Sequence, residues 1–176
     1  MEWKKGNFNR VLFIFFILYV SALTWIVLFK LTVPSNIVSL SRDRVINVIP
    51  FFEVITGEYF DTFDMIANII AFIPFGIYTA LVLKEIPARS KLISAAVLSI
   101  LYETVQFVFA IGVCDITDVM MNTLGAYIGI WVYEFINSKT KTEYKTKKFV
   151  TVCSAISIIP MGTVLGIVSV GKNIIL

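Results

Sequence analysis

The chain has 176 residues, of which 58% are hydrophobic and 15% are charged, and its net charge is +3. A soluble domain normally has about a quarter charged residues, so this composition argues against an ordinary soluble domain and favours one all-α membrane domain over 1–176. Because histidine is absent, Ser-His-Asp and Cys-His catalytic devices are excluded, and the two cysteines lack metal-site spacing. The composition suggests no cofactor and no nucleic-acid partner.

In chain order, the hydropathy pattern predicts a bundle of about five transmembrane helices. The first run is long enough to cross a bilayer and is not followed by a small-residue cleavage site, so we interpret it as an uncleaved helix. The fifth run is more weakly apolar and contains a proline and a glycine. The predicted spans are residues 11–29, 65–83, 92–111, 119–136 and 149–170.

The longest connection, residues 34–64, contains a short apolar run from Val45 to Phe52. This run is too short to cross a membrane, and Pro50 interrupts it. Two interpretations stay open: a re-entrant or interfacial segment, or a loop that packs on the helix ends.

The distribution of Lys and Arg predicts the orientation of the bundle. Residues 1–10, 84–91 and 137–148 hold eleven of the fifteen basic residues. Since basic residues are enriched on the cytoplasmic side, we expect a cytoplasmic N-terminus and a C-terminus outside.

Polar residues recur at helical spacing in three of the apolar segments. Residues three or four apart share a helix face, and the predicted topology places all of these residues towards the outer side. We predict that they form a polar pocket that binds a ligand headgroup: Asp64, Asn68, Glu103, Gln106, Asp115, Asp118 and Asn122. Asp61 continues the spacing of Asp64 and Asn68.

Each of these residues also has a structural interpretation. Glu103 lies near the middle of its span, where a carboxyl group must be paired, hydrated or protonated. It could join helices by hydrogen bonds to Gln106, Asn68 or Asn122. Asp115 and Asp118 could cap a helix N-terminus. Gly125 and Gly129, four residues apart, favour close packing of two helices.

Three sequence blocks resemble the VanZ-like family of bacterial membrane proteins. They are Asn47-Val48-Ile49-Pro50-Phe51, the run from Asn68 to Gly76, and Glu103-x-x-Gln106 followed by Asp115-x-x-Asp118-x-x-x-Asn122-Thr123-Leu124-Gly125-Ala126. The resemblance covers about residues 10–136 and leaves out the predicted helix 149–170. Where the family often has an Arg before the paired acids, this chain has Gly112.

The family takes its name from a factor that gives low-level resistance to teicoplanin, a glycopeptide antibiotic. The resemblance therefore implies a multi-pass protein of the bacterial cell membrane with a role in the cell envelope and in antibiotic tolerance. Since the Arg of the family pattern is missing, Arg42 or Arg44 are the candidates for contacting a headgroup.

Three functions compete on this basis. The first is a non-enzymatic envelope protein whose outer pocket binds a lipid-linked precursor or a lipoglycopeptide. The second is a membrane enzyme that acts on a lipid headgroup through paired carboxylates, which can position a divalent cation. The third is a proton or cation pathway through Glu103. The absence of histidine and of an evident nucleophile favours the first.

Overall fold

The computed structural model describes residues 2–29, 44–57, 62–140, 146 and 148. Expectations for Arg42, Asp61 and the fifth span therefore lie outside the described residues. The elements in chain order are α1 (Glu2–Phe29), β1 (Ile46–Asn47), α2 (Phe52–Thr56), α3 (Thr62–Val82), α4 (Ala88–Phe109), β2 (Cys114–Asp115) and α5 (Ile116–Thr140).

Within the described part of the chain, four helices are long and apolar enough to cross a membrane: Arg10–Leu28, Thr62–Val82, Ala88–Phe109 and Ile116–Thr140. These helices match the first four predicted spans, which confirms the all-α membrane architecture. Two helices near the candidate site residues begin earlier than predicted. α4 begins four residues before Leu92, and α5 begins directly after Asp115.

The centre of the bundle is the contact between α3 and α5, which glycines make very close. A Cβ atom added at Gly125 would lie 2.2 Å from the backbone oxygen of Ile69, and one at Gly129 would lie 2.0 Å from that of Ile73. At Gly76, an added Cβ would lie 2.0 Å from the backbone oxygen of Ala126. The small-residue face predicted on the fourth span is therefore used inside the chain, against α3.

α1 packs on α3 and α4, and its contacts with α3 include stacked and tilted aromatic rings. The Tyr19 hydroxyl donates to the backbone oxygen of Ala71 at 2.6 Å, and its ring stacks on that of Tyr78 with centroids 5.8 Å apart. Phe16 also contacts Tyr78, at a centroid distance of 5.4 Å. Large apolar side chains on the opposite faces, such as Phe13 and Phe109, are exposed. A bilayer would cover those faces.

The helices are tied together at one end, which we call the polar end: α1 and α4 finish there, and α3 and α5 begin there. β1 pairs in parallel with β2, with Ile46 opposite Cys114 and Asn47 opposite Asp115. The connection that precedes α3 therefore folds onto the turn between α4 and α5. Val45, Ile46, Val48 and Ile49 are nonetheless exposed apolar residues, as an interfacial segment requires.

Candidate functional site

The first contact at the polar end joins α3 to α5. Asn68 lies in the second turn of α3, and its Nδ2 donates to Oδ1 of Asp118 at 2.7 Å. Asp118 lies in the first turn of α5, where a carboxylate also complements the helix dipole. Asp64 lies one turn before Asn68 and is partly buried. Two acidic residues thus stand at the beginnings of two adjacent helices.

Asp115 holds the β1 connection against the start of α5. Its Oδ2 accepts from Asn47 Nδ2 at 3.1 Å, and its Oδ1 accepts from the backbone amide of Thr117 at 2.7 Å. Thr117 in turn accepts from the backbone amide of Phe51 through its hydroxyl, at 3.0 Å. Asp115 therefore performs the capping role that its position predicts, and it also binds a second segment of the chain.

Glu103 is buried on α4 and reaches the β2 segment. Its Oε2 accepts from the backbone amide of Asp115 at 2.8 Å. The sequence suggests amide side chains as its partners, whereas this hydrogen bond comes from the backbone twelve residues later. Glu103 consequently fixes the position of the turn between α4 and α5.

Gln106 lies one turn further along α4 and binds α1. Its Nε2 donates to the backbone oxygen of Val27 at 3.1 Å. A Cβ atom at Gly112 would lie 3.1 Å from this Nε2, so the turn covers the Gln106 side chain closely. A side chain at position 112 would therefore require the Gln106 side chain to shift by a few tenths of an ångström.

Asn122 forms a buried contact between α5 and α4. Its Nδ2 donates to the Ser99 hydroxyl at 2.8 Å, and neither residue is exposed. Together with Glu103, this pair makes a polar seam that runs along the α4–α5 interface from the polar end towards the middle of the bundle. A polar seam among apolar helices is costly unless its groups are satisfied.

Two buried side-chain oxygens of this region have no hydrogen-bond donor among the described residues. Gln106 is 1% exposed and Asn122 is 0% exposed. The side-chain oxygen of each accepts no hydrogen bond from the described residues. Since buried acceptors are nearly always paired, these atoms can accept donors from water or from a ligand.

Among the described residues, Arg44 is a basic residue that lies near this site. Its Nη2 donates to the backbone oxygen of Val108 at 3.4 Å, at the end of α4. The loop therefore does fold back onto the bundle, as a headgroup contact from Arg44 requires. A cation also complements the dipole at a helix C-terminus.

The pKa of the Cys114 thiol reflects the charges around β2. Burial raises the pKa of its thiol, and the nearby carboxylates of Glu103 and Asp115 raise it further. The field at β2 is therefore negative. Among the described residues, no three His, Cys, Asp or Glu side chains lie close enough together to hold a metal ion.

Sequence reasoning missed three residues that connect the site: Asn47, Ser99 and Thr117. Asn47 belongs to the first sequence block that carries the family resemblance, and its place in that block could have marked it as a site residue. Ser99 and Thr117 gave none, because isolated hydroxyl residues in apolar helices commonly bond to their own backbone.

The comparisons with known proteins agree with the resemblance. The family model described as VanZ/LLP1 matches residues 16–137. A curated relative, Protein VanZ from Enterococcus faecium, is 43% identical over 122 residues, which are 68% of this chain and 71% of the relative. No solved structure matches the chain significantly. With a family model that matches most of its length and a relative this similar, the chain belongs to the VanZ/LLP1 family of multi-pass bacterial membrane proteins.

Proposed function

We propose that this protein contributes to low-level teicoplanin tolerance by binding the headgroup of an amphipathic ligand at the polar end. The observation that carries the proposal is the pair of buried side-chain oxygens on Gln106 and Asn122, which accept no hydrogen bond from the described residues. The similarity to Protein VanZ supports the cell-envelope role. We name teicoplanin as the antibiotic because the VanZ-like family takes its name from resistance to it.

The chemistry of the site indicates what the ligand must offer. The region is rich in acceptors and carries the carboxylates of Glu103, Asp115 and Asp118, so it favours hydroxyl, amide or ammonium donors. Arg44 adds one cation at its edge, suited to a phosphate. A lipid-linked envelope precursor and a lipoglycopeptide both combine such polar groups with a long apolar chain.

Apolar side chains around the polar end suit the acyl part of such a ligand. Val48 and Phe63 are each 72% exposed, and Ile55 is 70% exposed. Exposed apolar groups beside a polar cluster are typical of a surface that meets the membrane interface. With the orientation expected from the basic residues, this surface lies in the outer leaflet, where teicoplanin and envelope precursors are found.

The direct test uses a strain that lacks this gene, complemented with the wild type, Glu103→Gln or Glu134→Gln. Glu134 is an exposed carboxylate on α5, far from the polar end, so its substitution is matched in chemistry. We expect the wild type and Glu134→Gln to restore teicoplanin tolerance and Glu103→Gln to fail, at equal membrane levels measured by quantitative blotting.

A binding measurement separates the two parts of the proposal. Purified protein in lipid nanodiscs should bind teicoplanin or a lipid-linked precursor, and Glu103→Gln should bind less. Tolerance without such binding would contradict the headgroup site. If the wild type leaves susceptibility unchanged, the resistance role is wrong.

A further inference from the structure

Lys91 is an unusual residue at the opposite end of the bundle, which we call the basic end. It lies in the first turn of α4 and is only 7% exposed. It shares the core-facing stripe of that helix with Ala95 and Ser99, both of which are fully buried. Lysine is almost never buried to this extent unless its ammonium group has a partner.

No described residue provides that partner. The backbone oxygen of Lys91 accepts from the Ser94 hydroxyl at 2.7 Å, but its ammonium group forms no hydrogen bond or ion pair within the described ranges. Helical side chains lean towards the N-terminus of their helix. We therefore expect the ammonium group of Lys91 near the beginning of α4, with its mostly buried aliphatic stem against the bundle.

The beginning of α4 is itself rich in donors. Its N-cap residue, Pro87, forms no capping hydrogen bond through its side chain. The backbone amides of Ser90 and Lys91 both donate to the backbone oxygen of Pro87. The amides of Ala88 and Arg89 form no hydrogen bond with the described residues. Free amides at a helix N-terminus, together with its dipole, attract anions.

The charges around this point are mostly positive. The connection 84–91 contains three basic residues, Lys84, Arg89 and Lys91, and one acidic residue, Glu85. Arg89 is exposed beside the free amides, so its guanidinium can reach an anion held there. An anion at this point would meet two backbone amides and two cationic side chains.

The depth of α4 in the membrane identifies the source of the anion. Its 22 residues span about 33 Å, close to the ~30 Å of the hydrocarbon core. When the helix spans the bilayer, its first turn consequently lies at the boundary with the headgroups, where the phosphate groups of lipids are located. The basic residues place this end in the cytoplasmic leaflet.

We infer that the first turn of α4 binds the phosphate group of an anionic phospholipid, held by Lys91, Arg89 and the amides of Ala88 and Arg89. This site lies at the end opposite the proposed headgroup site and is independent of it. The bound lipid fixes the cytoplasmic end of α4, which has no side-chain cap among the described residues.

The test measures lipid-dependent thermal stability of the purified full chain in nanodiscs of phosphatidylcholine, with and without phosphatidylglycerol. Lys91→Met keeps the volume of the buried stem and removes the charge. Lys139→Gln removes a basic charge from the same end, where Lys139 lies over the Phe135 ring and outside the site. We expect phosphatidylglycerol to raise the Tm of the wild type and of Lys139→Gln, and to leave Lys91→Met nearly unchanged.

A lipid titration gives the size of the effect. Loss of one charge-assisted contact corresponds to about tenfold weaker apparent binding of phosphatidylglycerol. An equal Tm shift for Lys91→Met and the wild type would refute the site. If sodium phosphate at the same concentration raises the Tm as much as phosphatidylglycerol does, the assignment to a lipid is wrong. The proposal requires Lys91→Met to fold normally. Its Tm in phosphatidylcholine alone should therefore be close to that of the wild type, which checks that the packing is intact.

Discussion

The close contact between α3 and α5 predicts that Gly129→Ala destabilises the bundle. The added Cβ atom would lie 2.0 Å from the backbone oxygen of Ile73 and 3.0 Å from the Cα atom of Gly76. Cβ contacts shorter than 3.0 Å essentially never occur, so the helices must separate locally by at least about 1 Å, the difference 3.0 − 2.0. Since both neighbours are backbone atoms, no side-chain rotation can relieve the clash.

The expected cost follows from two opposing effects. Overpacking of this kind costs up to about 3 kcal/mol, whereas replacing a helical glycine by alanine gains about 1 kcal/mol. The free energy of unfolding should therefore fall by about 2 kcal/mol. The measurement is reversible unfolding in mixed micelles, followed by tryptophan fluorescence.

Leu124→Ala provides the control for this experiment. Leu124 is 41% exposed on another face of α5, so its truncation should change the free energy of unfolding little. If Gly129→Ala is as stable as the wild type but loses self-association in a cross-linking assay, the glycine face serves contacts between chains, and the packing described here is wrong.

Three further predictions concern the hydrogen bonds and the charge of the bundle. Asn68→Ala removes the donor to Asp118 and should lower the free energy of unfolding by about 1 kcal/mol, measured as above; an unchanged value would contradict the α3–α5 contact. Tyr19→Phe should cost a similar amount in the same assay, because it removes the hydroxyl bond to the α3 backbone. Cys114 should react slowly with maleimide at neutral pH, and Glu103→Gln should speed the reaction by lowering the thiol pKa; an equal rate would argue against the negative field.

Hydropathy was sufficient to predict the four described membrane helices, because a span of about twenty apolar residues has few alternatives in a membrane. The same criterion failed at Lys91. A charged residue marks the end of an apolar run, so the third span was predicted to begin at Leu92. The helix instead begins at Ala88 and carries the lysine on its core face, which a count of charges along the sequence does not reveal.

The individual polar residues were visible in the sequence, but most of their partners were not. Asn47 and Asp115 are 68 residues apart, and the strands that bring them together have two residues each. Such a short pair has no periodicity to detect. The bond from the Asp115 amide to Glu103 depends on the path of the turn, and a backbone group has no sequence signature.

The parallel pair of β1 and β2 has a consequence for how the protein is made. Residues 46 and 47 leave the ribosome long before residues 114 and 115, and the two helices α3 and α4 are synthesised between them. The pair can form only after both helices have been synthesised. Until then β1 lacks its partner strand. The formation of this pair therefore follows the synthesis of the α3–α4 hairpin, and an unfinished chain has an unpaired strand edge at β1.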